Sequence, residues 1–191
     1  MIPLDVERHL VRSWGVRIIK PKNKKVGIGI GTGTSVQPEE VKRCLNTASI
    51  GANITEFPAY AMPKPKAFST VKIADSKITS DPESVVKDTT EQLQSLLKQS
   101  DIVLPTFGKI RTYTVSTMIS NCEGVQVEKK ETLIYLELAL KAEREGNLAE
   151  FWPSLTVRRT EDLRFEEQIP KWTKLAADTL NAEAPKTMKT T

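Results

Sequence analysis

The sequence predicts an α+β fold: an antiparallel-rich sheet built from two hairpin regions, with about three helices packed on it. Three observations lead there. Residues 15–30 read strand, turn, strand. Residues 109–127 read as a second strand pair around a turn. The stretches between and after them repeat apolar residues every three or four positions, as helices do.

In the first hairpin, Gly15-Val16-Arg17-Ile18-Ile19 is rich in β-branched residues, and Pro21-Lys22-Asn23-Lys24 supplies turn chemistry. Val26, Ile28 and Ile30 then alternate with Gly27, Gly29 and Gly31. One face of that strand is apolar and the other has no side chains, so a helix can pack closely on it. A helix follows. Thr34 or Ser35 can cap it, Pro38 suits its first turn, and Glu39 and Glu40 complement the positive end of its dipole. Val41, Cys44, Leu45 and Ala48 form its apolar face and Gly51 its stop. Residues 57–68 hold three prolines and read as an extended connection.

Asp81-Pro82-Glu83 opens a second helix, with Val86, Thr90, Leu93 and Leu97 on one face. Residues 101–104 and 109–120 read as strand, with Tyr113, Val115, Thr117 and Ile119 sharing a face. Asn121-Cys122-Glu123-Gly124 makes a turn into residues 125–127, so Asn121 and Gly124 are structural positions. The segment around residues 133–142 satisfies both periods. Leu133, Leu136 and Leu140 fit a helix, while Ile134, Leu136, Leu138 and Leu140 fit a strand opposed by Glu137 and Lys141. Residues 144–147 read as a hairpin turn, residues 151–157 as strand, and a last helix begins at Ile169-Pro170 with Trp172, Leu175, Ala176 and Leu180 on one face.

The totals bound the function. A chain of 191 residues, 39% apolar and 27% charged, describes a soluble globular protein. Residues 1–184 are expected to form one α+β domain, followed by a polar tail at 185–191. No apolar run approaches the roughly 20 residues that span a bilayer. Met1-Ile2-Pro3-Leu4-Asp5 does not read as a secretion signal, and Cys44 and Cys122 read as separate reduced thiols. These point to the cytoplasm. The net charge of +4 invites a nucleic-acid reading, but the lysines are interleaved with carboxylates except at residues 20–25, where a turn is expected.

The glycine stretch lacks a nucleotide signature. Starting from Gly27, Gly29 or Gly31, the third glycine of a dinucleotide fingerprint falls on Thr32, Thr34 or Val36. A P-loop lysine followed by Ser or Thr is missing as well. What is left is a weak anion site at residues 31–35. His9 is the only histidine, so a two-histidine metal site cannot be built from this chain. No catalytic, cofactor-binding or metal-binding residue is expected.

Several stretches resemble the TldD/PmbA (TldE) family in order. "GVRIIKPKNKKVGIGIGTGTS…PEEVKRCLNTA" resembles its first hairpin and helix. "VSTMISNCEGVQVEKKETLIYLELALKAEREGN" resembles its strand-turn-strand, with Asn121, Cys122 and Gly124 at the approximate Asn-Ser-x-Gly places. "KWTKLAADTLNAEAPKT" resembles the helix closing the N-terminal domain. The resemblance implies strand for residues 133–142. It also implies a non-catalytic N-terminal domain, because the family's HExxxH zinc motif lies in a further domain of TldD-type members. Zinc is expected only there. The implied role is in a peptidase complex, with peptide substrates and a protein partner: a second copy, a TldD/PmbA paralogue or the second domain. Phe151, Trp152, Leu155 and Trp172 are the candidate interface. Two other readings stand beside it: a weak nucleic-acid-binding module, and a small enzyme with a phosphate site at residues 31–35.

Overall fold

In a computed structural model, residues 7–67, 69, 71–98 and 102–182 are described. The fold is α+β with antiparallel sheets, as expected, but the two hairpin regions belong to separate sheets of three and four strands. The chain divides into two compact units, Met1–Lys64 and Pro65–Thr191.

In the first unit, β1 (Trp14–Lys22) and β2 (Lys25–Gly33) form a hairpin in continuous register from Trp14 opposite Gly33 to Lys22 opposite Lys25. Asn23 takes positive φ at the turn. A short β3 (Phe57–Pro58) pairs with the start of β2. Helix α1 (Pro38–Ile54) lies on the glycine face of β2 and buries Cys44, Ala48 and Ala52 there. Three sequence expectations change here. Neither Thr34 nor Ser35 caps α1; the N-cap is Gln37 without a side-chain bond, and the Ser35 hydroxyl accepts from the Gln37 N–H. Leu45 is off the buried stripe and exposed. Gly51 lies inside the helix, where it lets the backbone approach Gly29.

The helix stops at Thr55 instead. Its N–H donates to Gly51 O, and its hydroxyl accepts from the Ile28 N–H at 2.8 Å. The same hydroxyl has Ile28 O at 2.7 Å and Gly51 O at 3.0 Å as acceptors.

The second unit is built around β5 (Gln126–Arg144), a strand of 19 residues. It pairs with β4 (Val103–Ser120) along one edge, and with β6 (Asn147–Phe151) and β7 (Ser154–Val157) along the other. Residues 133–142 are therefore strand. The turns behave as read: Asn121 Oδ1 accepts from the N–H groups of Glu123 and Val125, Gly124 takes positive φ, and so do Glu145 and Gly146. Alternate β5 residues Ile134, Leu136, Leu138, Leu140 and Ala142 point into the core.

Helices α2 (Ser76–Ser80), α3 (Pro82–Leu97) and α4 (Phe165–Asp178) contribute the other side of that core. Asp81 caps α3 by accepting from the Ser84 N–H at 3.0 Å. The buried stripe of α3 is Val85, Thr89, Leu93 and Leu97, so Val86 and Thr90 are half-buried beside it. Helix α4 begins at Phe165, before the expected Ile169-Pro170 start, and carries Pro170 inside it. Phe165, Ile169, Trp172 and Ala176 form one apolar stripe at helical spacing, and burying the first two outweighs the hydrogen bond that Pro170 removes. Leu175 lies off this stripe and is exposed.

Candidate interaction surface

The expected glycine positions are structural contacts. A Cβ on Gly27, Gly29 or Gly31 would overlap the backbone carbonyls of Ala52, Ala48 and Cys44 respectively. The residue 20–25 lysine cluster serves the helix behind it. Lys20 Nζ donates to Ser49 Oγ at 2.8 Å and Asn53 Oδ1 at 2.9 Å, Lys22 Nζ to the carbonyls of Asn53 and Thr55, and Lys25 pairs with Glu56. Cations at the negative end of α1 are favourable there, and their donors are engaged. His9 is exposed and meets Glu7 at 2.9 Å.

A cleft of about 490 Å³ lies beside Asp75, Lys77, Arg159 and Thr160, and its charges hold the local fold. Asp75 accepts from the N–H and hydroxyl of Thr160, both at 2.8 Å, and from the Lys77 N–H at 2.8 Å. Burial pushes its pKa up, but the bonds from Thr160, Lys77 and Ile78 outweigh this and hold it below the ordinary 3.8. Arg159 pairs with Glu161 and Asp162. Among the described residues, no three His, Cys, Asp or Glu side chains come together as metal ligands. Among the same residues, no helix is long and apolar enough to cross a membrane.

What the second unit does present is an open sheet face. The β5 side chains that alternate with the core residues are on it, and register assigns their β4 neighbours. Phe107 stands opposite Ala139, Lys109 opposite Glu137, Arg111 opposite Tyr135 and Tyr113 opposite Leu133. Val115 then pairs with Glu131, Thr117 with Lys129 and Ile119 with Val127. Phe107, Tyr113, Val115 and Ile119 are 42%, 40%, 37% and 62% exposed. Trp152, 56% exposed, lies against Phe107 with ring centroids 5.9 Å apart and ring planes tilted by 32°.

Three acids on this face are engaged within it, of which Glu143 meets Lys141 at 2.8 Å. Tyr135 donates its hydroxyl to Glu137 at 3.1 Å; burial first, then Glu137, pushes the phenol's pKa up. Glu131 meets Lys129 at 3.0 Å and Arg158 at 2.6 Å, and these hydrogen bonds hold its carboxyl below the usual range.

Of the expected interface residues, only Trp152 belongs to this exposed surface. Phe151 and Leu155 are half-buried against the core, and Trp172, 6% exposed, is a core side chain. With α4 starting at Phe165 rather than at Ile169-Pro170, Trp172 falls on the inward stripe. Phe107, Tyr135 and Leu133 were missed as surface residues. Alternation marks their face, but only the strand pairing brings them together.

No family model matches this sequence, and neither does any curated protein. Solved structures do. TldE from Thermococcus kodakarensis matches over 87% of this chain at 16% identity, with a TM-score of 0.59. The fold is shared with TldE. A Thermotoga maritima protein proposed as a modulator of a DNA gyrase matches over 92% of this chain at 14% identity, with a TM-score of 0.65. The present chain covers 37% and 44% of those two chains, so it spans less than half the length of either.

Proposed function

We propose that this chain is an N-terminal domain of TldD/PmbA type that contributes to a cytoplasmic peptidase complex without a catalytic site of its own. The observation that carries the reading is the fold shared with TldE over 87% of the chain. The single histidine of the sequence supports it, because the two-histidine zinc motif of TldD-type members cannot be built from this chain. On this reading the zinc sits on another domain or chain, and the sheet face of β4 and β5 offers a partner its apolar surface. An exposed apolar patch of that kind is a usual sign of an interaction site.

The test is cleavage of denatured protein and short peptides. The chain alone gives none, a TldD-type partner restores cleavage, and a chelator abolishes it. Chelator-insensitive cleavage by the isolated chain overturns the proposal.

A second reading, weak nucleic-acid binding, draws on Lys109 and Arg111 between Phe107 and Tyr113 on the open face. Glu131 and Glu137 on the same face oppose it. Titration of duplex DNA at about 150 mM salt is expected to stay in the non-specific range, near 10⁻⁴–10⁻⁶ M. Nanomolar, sequence-selective binding would put this reading first.

A further inference from the structure

Strand β4 is the outermost strand of its sheet, and among the described residues only β5 pairs with it. The far edge of β5 is taken by β6, by β7 and, at Thr132, by the carbonyl of Ile73. At the hairpin tip the Asn121 N–H donates to Val125 O at 3.0 Å, which fixes the alternation along β4. Odd-numbered residues from Lys109 to Ile119 turn their N–H and C=O groups to β5. Ile110, Thr112, Thr114, Ser116 and Met118 turn theirs to the free edge.

Natural sheets protect such an edge with proline, lysine, a bulge or a short strand. The irregularity in β4 is confined to Pro105 and Phe107. Beyond it, Thr112-Tyr113-Thr114-Val115-Ser116-Thr117-Met118-Ile119-Ser120 holds no charge, proline or glycine. The run is rich in β-branched residues, and from Tyr113 onward both of its faces are exposed. This edge is open to pairing.

We propose that the β4 edge takes up an extended peptide as a further antiparallel strand. The outward backbone groups of Thr112, Thr114 and Ser116 hold it, and neighbouring side chains select its sequence. Lys109 has Glu137 as its neighbour on β5, but the exposed Arg111 has Tyr135 and no carboxylate opposite. An acid on the added strand opposite Arg111 answers that charge, and β-branched residues opposite Tyr113 and Val115 pack on them. Threonines opposite Thr112 and Thr114 suit the other face. Read from its N-terminus, the peptide therefore carries two β-branched residues at alternate positions, then an acid two further on.

This site takes the source of its strand from the peptide substrates of the proposed function and rests on that reading. Its binding is measured without cleavage, so peptidase activity with a TldD-type partner succeeds or fails separately. The probe is a capped, fluorescent Thr-Val-Thr-Val-Thr-Glu-Thr peptide, titrated with the whole chain by anisotropy, and saturable binding is expected. Methylating the backbone nitrogens of the threonines opposite Thr112 and Thr114 removes two donors and should weaken binding about tenfold. Methylating the two valine nitrogens, which point away from β4, should weaken it far less.

Arg111→Glu should weaken binding of this peptide about fivefold and favour one with Lys in place of its Glu. That reversal requires a folded variant, so misfolding cannot imitate it. Thr114→Pro removes an outward N–H that bonds to no strand, and should abolish binding at an unchanged melting temperature. No saturable binding, equal losses from both methylated peptides, or no reversal in Arg111→Glu would each overturn the proposal. A dimer in light scattering that Thr114→Pro dissolves would give the edge to a second copy and overturn it as well.

Discussion

Gly29 of β2 lies directly beneath Ala48 of α1, so close that a Cβ on Gly29 would overlap the Ala48 carbonyl oxygen and stand 2.6 Å from Ala52 N. The obstacle is helix backbone, which cannot rotate away as a side chain can. Gly29→Ala is therefore expected to cost about 3 kcal/mol, the top of the overpacking range, and Gly29→Val at least as much. Chemical denaturation measures it. An unchanged midpoint would mean that the glycine face is not packed against α1.

Asp75 joins the start of α2 to the turn after β7 by accepting from Lys77 and Thr160. Asp75→Asn cannot accept all of these bonds and is expected to cost about 1–3 kcal/mol at neutral pH. Because the folded-state pKa lies below 3.8, the wild-type carboxylate's contribution is complete above that value and is lost as pH falls through the folded pKa. The stability gap between wild type and Asp75→Asn should therefore narrow below pH 3.8. Parallel stability curves down into the acid range would count against the assignment.

The two tryptophans of the expected interface should behave in opposite ways. Trp172→Ala opens a cavity among Phe165, Ile169 and the β5 leucines and is expected to cost about 3–5 kcal/mol. Trp152→Ala removes an exposed ring that lies tilted against Phe107 and should cost about 1 kcal/mol or less. Thermal melts of the pair decide it, and equal losses would contradict the assignment of core and surface.

Lys20 and Lys22 hold the C-terminal end of α1. Lys20→Ala is expected to lower stability by about 0.3–1 kcal/mol, with the loss shrinking as salt rises. Inorganic phosphate should leave the melting temperature unchanged, since these donors are already engaged. A phosphate-dependent rise would bring back the weak anion site at residues 31–35.

Local chemistry was enough for the features that depend on a few neighbouring residues. Alternating glycines marked β2 as a strand with a bare face, Asp81-Pro82 marked the start of α3, and Gly124 and Gly146 marked turns where the backbone takes positive φ. Each of these follows from steric freedom, capping or a missing N–H, which the nearest residues settle among themselves. The α3 stripe, the start of α4 and the placement of Trp172 depended on what packs against each helix. Adjacent helix positions differ by only about 100°, so Val85 and Val86 fit one periodic pattern almost equally well. Residues 133–142 are the clearest case. Their leucines satisfy both helical and strand periods, and their composition favours helix. Pairing with β4 along one edge, and with β6 and β7 along the other, settled that segment as strand. Those partners lie far away in the chain, so the hydrogen bonds and side-chain burial that decide the outcome exist only once the fold brings them together. The same pairing created the open face, since no single strand carries both of its rows.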